Sequence, residues 1–202
     1  MKPANPHPLA IVIPAWRARY FTTALTSLRN QTDHRFRLYI GDDGSPDDLR
    51  TIADTVGQGL DIVYHRFPEN LGGRDLIAHW ERCLDLAGDE PWIWLFSDDD
   101  VADPGCVASF YEALENDDRR TTLFRFNTTI IDGDDRIIRH PAPHPEYEEA
   151  SEMIVAIFTA WVQHSSRFWC APDHIFSKTA LQKLGGFINY PRALYSDLAT
   201  WV

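Results

Sequence analysis

Short apolar runs that suit buried strands alternate with segments of helical spacing through the first hundred residues of this 202-residue chain. The runs cover residues 9–13, 36–40, 61–65 and 92–96, and the helical segments between them cover 21–29, 47–56 and 76–86. Such alternation is typical of parallel strands that are joined by crossover helices. We therefore predict an α/β fold with a mostly parallel central sheet.

The pattern changes after Pro104. Helical spacing returns at 107–114 and 150–162, β-rich stretches lie at 121–131 and 136–139 around an Asp-Gly turn, and 175–184 predicts a strand and a helix. We expect one domain in which residues 9–104 form the larger half and 105–202 form a smaller half with a β-hairpin and helices. The helix at 76–86 should contribute these core residues: Leu76, Ile77, Trp80, Leu84 and Leu86.

The chain is acidic, with 19 Lys and Arg against 30 Asp and Glu, a net charge of −11 and a pI near 5.0. A protein that neutralises a phosphate backbone needs clustered basic residues, so nucleic acid is excluded as the expected partner. An acidic chain that handles an anionic ligand needs a bound cation or a few placed arginines.

Cys83, Cys106 and Cys170 are widely spaced and form no CxxC pair, so they predict neither a disulfide framework nor a zinc site. No stretch of about 18 apolar residues occurs, and the N-terminus has no apolar signal region. We expect a cytoplasmic protein without a transmembrane segment, for which peripheral membrane contact stays open.

Three carboxylates follow the last of the four strands, in the run Ser97-Asp98-Asp99-Asp100. Ligands of open α/β sheets gather beyond the carboxyl ends of the strands. A hard divalent ion such as Mg²⁺ or Mn²⁺ would relieve the repulsion between the carboxylates and keep coordination positions open for phosphate. A solvated turn that caps the next helix is the alternative interpretation.

Three other loops carry candidate binding residues. Asp43 precedes Gly44 after the second strand, where it could accept a ring N–H of a base or simply form a turn. Trp16 follows the first strand, where it could stack on a base or pack under a loop. Arg74 ends a glycine-containing loop before a helix, where it could meet a diphosphate.

The ordered segments IVIPAW, SLRNQT, LYIGDDGSPDD, ENLGGRD, WLFSDDDVADP and LGGF together resemble the family 2 inverting glycosyltransferases, a large group with the Rossmann-like GT-A fold. The resemblance extends from residue 11 to about 201 and lies in order and spacing. It implies a nucleotide-diphosphate-sugar donor, expected to be a uridine one, and a divalent cation, Mn²⁺ or Mg²⁺. The acceptor would be a saccharide, lipid-linked or other hydroxyl.

The resemblance also implies roles for residues of the N-terminal half. Pro14, Ala15 and Trp16 would line the base pocket, Asp43 would bind the base, and Arg74 would lie near base or phosphate.

The family's acidic element usually reads Asp-x-Asp-Asp, and here Ser97 stands at its first position. Either Asp98 takes over the ribose contact, with Asp99 and Asp100 near the metal, or donor binding is altered. We expect the first, because a carboxylate one residue along the same loop still reaches the crevice.

Family members carry an acidic residue after a Gly-Gly-Phe segment, commonly in a Glu-Asp pair, that deprotonates the acceptor. Asp197 matches it, with Ser196 in place of the Glu. A helix N-cap is the alternative role of Asp197. The acceptor side should be completed beyond Val202, where family members continue. Four residues could line an acceptor pocket, although core packing ranks first for them: Trp161, His164, Trp169 and His174.

Two other functions compete with a transferase. Ser97, Ser196 and the early C-terminus also fit a sugar-nucleotide-binding module without catalysis. A phosphoreceiver domain has an acidic pocket too, but its acid pairs follow the first and third strands, whereas here a complete strand precedes Asp42.

Overall fold

The structure is a computed structural model that describes residues 7–118, 121–163 and 167–201, and only the backbone of 161–163. The strands are Leu9–Ala15 (β1), Phe36–Asp42 (β2), Ile62–Arg66 (β3), Trp92–Leu95 (β4), Leu123–Arg125 (β5), Ile130–Ile131 (β6), Ile137–Arg139 (β7) and His174–Ser177 (β8). The helices are Ala18–Arg29 (α1), Leu49–Val56 (α2), Leu76–Leu84 (α3), Cys106–Glu115 (α4), Ala150–Gln163 (α5), Lys178–Leu184 (α6) and Ser196–Trp201 (α7). In these ranges no helix is both long and apolar enough to cross a bilayer.

A six-stranded sheet in the order β3-β2-β1-β4-β8-β5 forms the centre of the fold. The first four strands pair in parallel, which confirms the mostly parallel sheet predicted from the sequence. β8 runs antiparallel to both β4 and β5, with Trp94 opposite Ile175. The amino end of β8 therefore lies at the same edge as the carboxyl ends of β1, β2 and β4.

Both faces of the sheet are covered, which explains why β1 is apolar throughout rather than alternating. Leu9, Ile11 and Ile13 pack into one core cluster with α1, and Ala10 and Val12 pack into a second cluster with α3. All five side chains are fully buried. Because the sheet is held from both sides, the loops at its carboxyl edge start from a rigid base.

One expectation about the packing of the fold was wrong, and another is refined by the structure. Leu76 is 38% exposed, because as the first residue of α3 it faces the crevice instead of the core. The β-rich stretch 121–131 is divided into two strands: β5 joins the central sheet, and β6 pairs with β7 across the Asp-Gly turn, which confirms the predicted hairpin. The break occurs where Phe126 donates its N–H to the Asp173 carbonyl at 2.8 Å, after which the chain leaves the sheet.

Candidate functional site

A cleft of about 680 Å³ opens at the carboxyl edge of the sheet. Loops after β1, β2 and β4 contribute to its walls, together with α3, the segment before β8, and α7. Six of the nine predicted site residues line it: Pro14, Trp16, Asp43, Asp98, Asp99 and Asp197. The structure thus brings together side chains that are up to 183 positions apart, between Pro14 and Asp197.

Three predicted residues do not line the cleft. Ala15 is fully buried, and its carbonyl accepts the Asp43 N–H at 2.8 Å. The guanidinium of Arg74 is exposed and paired with Glu69 at 2.8 Å. Asp100, the residue after the cleft-lining Asp99, is partly buried and is not itself among the residues that line the cleft. Any contact of these three with a ligand stays a prediction.

Asp43 is buried and heavily hydrogen bonded. Its carboxylate accepts the backbone N–H groups of Leu71 at 2.8 Å and Gly72 at 2.9 Å, and it forms a close ion pair with Arg82. The neighbouring His79 is not a donor to Asp43 through Nδ1 at neutral pH. Its Nδ1 instead accepts the Nε–H of Arg82 at 3.0 Å. Asp43 therefore joins the end of β2 to the loop that precedes α3.

The adjacent carboxylate, Asp42, has a structural role instead. It is fully buried and accepts the hydroxyl of Tyr64 at 2.5 Å, the guanidinium of Arg66 at 2.6 Å and the N–H of Ser45 at 2.8 Å. These partners hold the turn that follows β2 and leave Asp43 as the acidic residue of the pair that faces the cleft.

Asp98 connects two loops of the cleft. Its Oδ2 accepts the backbone N–H groups of Trp16 at 2.8 Å and Arg17 at 3.1 Å. Burial raises the pKa of the Asp98 carboxyl, while these two backbone hydrogen bonds favour its charged form. The position predicted to contact ribose therefore also holds the backbone at Trp16, whose side chain is 37% exposed at the cleft wall.

The last two carboxylates of the β4 loop differ in environment. Asp99 is exposed in the cleft and accepts the hydroxyl of Ser97. Burial raises the pKa of Asp100 to about 6, with further contributions from the charges of Asp99, Asp173 and Asp98. A divalent cation bound here would neutralise part of the negative charge of these carboxylates.

Within the described ranges, no three His, Cys, Asp or Glu side chains converge to hold a metal ion. Mg²⁺ is usually held by one or two carboxylates together with water and substrate phosphates, rather than by a protein cage. Asp99 and Asp100 fit that arrangement, in which the ion is held jointly with a diphosphate.

Asp197 lies in the first turn of α7 and borders the cleft together with Ala171 and Pro172. Burial raises the pKa of its carboxyl, and the nearby His174 opposes that rise. A carboxylate that is partly shielded from water has the increased basicity that a general base requires. Ser196 is buried and its hydroxyl accepts the N–H of Tyr190 at 3.0 Å, so it holds the loop before α7.

Sequence reasoning missed Arg17 and Arg19, which both line the cleft. The Arg17 guanidinium lies 4.5 Å from the centroid of the Trp16 ring. Their position within three residues of Trp16 was a usable signal, since an acidic chain that binds an anion needs local cations. These two side chains are better placed than Arg74 to meet a phosphate in the cleft.

Of the candidates for an acceptor pocket, His174 is fully buried and Trp169 is partly buried. Trp169 packs against a small cluster of Met153, Ile157 and Leu198. His164 and the side chain of Trp161 lie outside the described residues. The sequence favoured core packing for these residues, and both His174 and Trp169 pack in the interior in this way.

An open, mostly parallel sheet whose strand ends converge on one acidic and aromatic cleft defines an α/β domain of the GT-A class. The sequence model described as Glycosyl transferase family 2 matches residues 10–187, and the chain belongs to that family. No curated protein matches the chain in sequence.

Solved structures share the fold at low sequence identity. TarS 1-349 of S. aureus in complex with UDP superposes with a TM-score of 0.70 at 16% identity, over 96% of this chain and 53% of that one. Its complex with UDP-GlcNAc gives 0.67 at 14% identity, over 96% and 52%. The mannosyltransferase PcManGT from Pyrobaculum calidifontis, in complex with GDP-Man and Mn²⁺, gives 0.61 at 13%, over 95% and 51%. The chain spans about half the length of these structures.

Proposed function

We propose that this chain is the donor-binding and catalytic part of an inverting glycosyltransferase that uses a nucleotide-diphosphate sugar, with uridine as the base. In this proposal residues 9–104 bind the donor and 105–202 contribute to the acceptor side. The acceptor is a hydroxyl of a saccharide, a lipid-linked sugar or another molecule. The free cysteines fit a reducing compartment, so we propose a cytoplasmic location.

One observation carries the proposal: Asp99 and Asp197 border the same cleft as Trp16 and Asp43. The residues to which we assign base binding, phosphate binding and proton transfer thus border one space large enough for a nucleotide sugar. A solvated acidic turn would not place these side chains around a common cavity.

The hydrogen-bond donors around Asp43 leave one acceptor position of its carboxylate for a base. An ionised carboxylate has about four lone-pair directions. Leu71, Gly72 and Arg82 use three of them, so one remains for a ring N–H such as that of uracil. Trp16 offers an exposed aromatic face to the same ligand, and the UDP complexes of TarS, which has the same fold, are compatible with this choice of base.

The diphosphate would lie toward Asp99, Arg17 and Arg19. A divalent cation held by Asp99 and Asp100 would neutralise the charge that the leaving diphosphate acquires. Asp98 holds the Trp16 loop, lines the cleft and would contact the ribose. Asp197 removes the proton of the acceptor hydroxyl as that oxygen attacks the anomeric carbon from the face opposite the diphosphate.

Thermal unfolding with UDP, GDP and ADP, each with and without Mn²⁺, tests donor binding, because a ligand of the native state raises its apparent stability. We expect the largest rise with UDP and Mn²⁺ together. Asp99→Asn should abolish the Mn²⁺-dependent part of that rise. Asp103→Asn is the matched control, since Asp103 is exposed on the same loop and outside the cleft. Equal UDP affinity of wild type and Asp99→Asn in calorimetry would refute the metal assignment.

A binding module without catalysis is the second candidate, favoured by the serines at positions 97 and 196. It predicts the same response to UDP and Mn²⁺ but no release of UDP from UDP-GlcNAc or other UDP-sugars. Turnover that disappears in Asp197→Asn, with UDP affinity unchanged, decides for the transferase.

A further inference from the structure

His79 belongs to the wall of the cleft beside Asp43. It lies on α3, is only 3% exposed, and borders the same cavity as Asp43 and Gly72. Its Nδ1 is 3.4 Å from Asp43 Oδ1. The contact with Arg82 occupies that nitrogen and leaves the second ring nitrogen, Nε2, for another partner.

One hydrogen bond determines which nitrogen of His79 carries the hydrogen. Nδ1 accepts the Nε–H of Arg82 at 3.0 Å, and a guanidinium can only donate. Burial lowers the pKa of the ring to about 4, so the ring is neutral at physiological pH. A neutral imidazole carries one hydrogen, which therefore lies on Nε2. His79 is thus a hydrogen-bond donor at Nε2.

Among the residues that the structure describes, the thiol of Cys83 is the only candidate acceptor for this N–H, and it is poorly aligned. Its Sγ lies 3.6 Å from Nδ1 and 3.7 Å from Nε2. Such nearly equal distances place the sulfur close to the plane that bisects the two nitrogens, whereas the Nε2–H bond points away from that plane. A buried N–H without an aligned acceptor is costly, which points to an acceptor supplied by a ligand.

The gap beside Gly72 is flanked by His79 and by the free acceptor position of Asp43. Within the described ranges, Oδ1 of Asp43 accepts from Leu71 and Arg82, whereas Oδ2 accepts only the Gly72 N–H. A Cβ added at Gly72 would lie 2.9 Å from Asp43 Oδ2 and 3.2 Å from His79 Cδ2, the ring atom bonded to Nε2. Glycine therefore keeps open a gap that has an acceptor on one side and the Nε2 edge of the imidazole on the other.

An acceptor beside a donor is complementary to a base edge on which a ring N–H adjoins a carbonyl. Uracil has this edge, because its N3–H lies between two carbonyl groups. In cytosine N3 is an acceptor and the neighbouring carbon carries an amino donor. Guanine also has a ring N–H beside a carbonyl, so such a site selects keto bases over amino bases.

We propose that His79 is a specificity-determining residue for the donor base, whose Nε2–H donates to the carbonyl next to the N3–H that Asp43 Oδ2 accepts. The proposal rests on the proposed base site at Asp43 and adds a second polar contact to it. A site whose buried polar groups pair only with the correct base discriminates strongly, because a wrong base leaves those groups unpaired.

Thio-substituted nucleotides test this hydrogen bond at a single atom. Sulfur accepts hydrogen bonds more weakly than oxygen, so replacing the contacted carbonyl by a thiocarbonyl weakens binding. Calorimetric titration compares UDP, 2-thio-UDP and 4-thio-UDP, each with Mn²⁺. We expect the wild type to bind one analogue about tenfold more weakly than UDP and the other within about threefold of it. A wild type that binds all three equally would overturn the inference.

Two variants with side chains of nearly equal length separate hydrogen bonding from the larger size of sulfur. His79→Gln retains an N–H donor and should keep the preference against the same analogue. His79→Met has no donor and should bind UDP and both analogues within about threefold of one another. A His79→Met protein that still binds that analogue tenfold more weakly would assign the preference to size and reject the role of His79.

¹⁵N NMR of the wild-type chain tests the position of the hydrogen and does not depend on a variant that folds. The ring nitrogens of His79 are assigned through their couplings to its own backbone. We expect the hydrogen on Nε2, and we expect the Nε2 resonance to shift when UDP and Mg²⁺ are added. A hydrogen on Nδ1, or an Nε2 resonance that UDP leaves unchanged, would contradict the proposal.

The inference and the proposed function fail in different ways. If the wild type binds no nucleoside diphosphate, the base site is wrong and both fail. If it binds UDP but does not discriminate between the thio analogues, only the assignment of His79 is wrong. If His79 discriminates between the analogues and no UDP-sugar is turned over, the chain is a binding module and the role of His79 stands.

Discussion

The carboxylate of Asp98 accepts the backbone N–H of Trp16 at 2.8 Å, across 82 positions of sequence. This hydrogen bond joins the loop after β4 to the loop after β1, the two neighbouring central strands. It makes the position of an exposed aromatic ring dependent on an acidic residue of another loop. Aromatic and acidic residues of the cleft are thus parts of one unit.

Asp98→Ala should therefore weaken both the fold and the binding of UDP. Loss of two hydrogen bonds to a charged acceptor costs about 2 kcal/mol of unfolding free energy, measured by chemical denaturation. We expect UDP affinity to fall by roughly tenfold, since the released Trp16 loop has to be ordered again on binding. Asp98→Asn keeps an acceptor oxygen for the Trp16 N–H and should remain within about 1 kcal/mol of wild type. Equal destabilisation by both changes would contradict this explanation.

Arg82→Met should be strongly destabilising because it leaves the buried Asp43 carboxylate without its cation. Breaking a buried pair from one side costs on the order of 3 kcal/mol. Arg74→Met is the matched control: its pair with Glu69 is exposed on both sides and should contribute less than about 0.5 kcal/mol. Urea denaturation at neutral pH measures both. Similar losses in the two variants would show that Asp43 does not depend on Arg82.

His79 should make stability depend on pH. Burial lowers the pKa of its ring from 6.5 to about 4, with Asp43 opposing and Arg82 supporting the shift. Between these values the unfolded chain binds the proton and the folded chain does not. Unfolding free energy is therefore highest above about pH 6.5 and decreases as the pH falls toward about 4, by on the order of 2 kcal/mol.

Denaturation at a series of pH values in His79→Gln checks the origin of this decrease. The variant should lose that part of the pH dependence, while His65→Gln, a change of an exposed histidine on β3, should keep it. The same slope in wild type and His79→Gln would assign the effect to other groups.

Gly72→Ala should impair UDP binding more than folding. An added Cβ would lie 2.9 Å from Asp43 Oδ2 and 3.2 Å from His79 Cδ2, so the loop at Gly72 would have to move away from β2. Such crowding costs about 1–3 kcal/mol. At Gly105 an added Cβ meets Asp103 Oδ1 at 3.5 Å, an ordinary contact, so Gly105→Ala should bind UDP as the wild type does. Calorimetric titration with UDP and Mn²⁺ compares the two variants.

Several features of the cleft could be predicted because they depend on local pattern and on one rule of sheet geometry. Trp16, Asp43 and Asp98 each follow a strand that its apolar residues reveal, and the carboxyl ends of parallel strands share one edge. Exposure of Leu76 was missed, since helical spacing does not tell which side of the first turn faces a crevice. Arg74 was assigned to base or phosphate from its loop; the sequence did not reveal its exposed pair with Glu69, and its contact with a ligand stays a prediction.

The sequence by itself determined the succession of strands and helices, the parallel core and the edge at which acidic and aromatic residues collect. These follow from hydrophobic periodicity and turn chemistry, which act over a few residues. Only the tertiary structure decided which groups meet: Asp43 with Arg82, Asp98 with Trp16, and His174 with α7. Those contacts depend on how helices and loops pack onto the sheet, and a shift of an ångström or two, invisible in the sequence, makes or breaks a hydrogen bond.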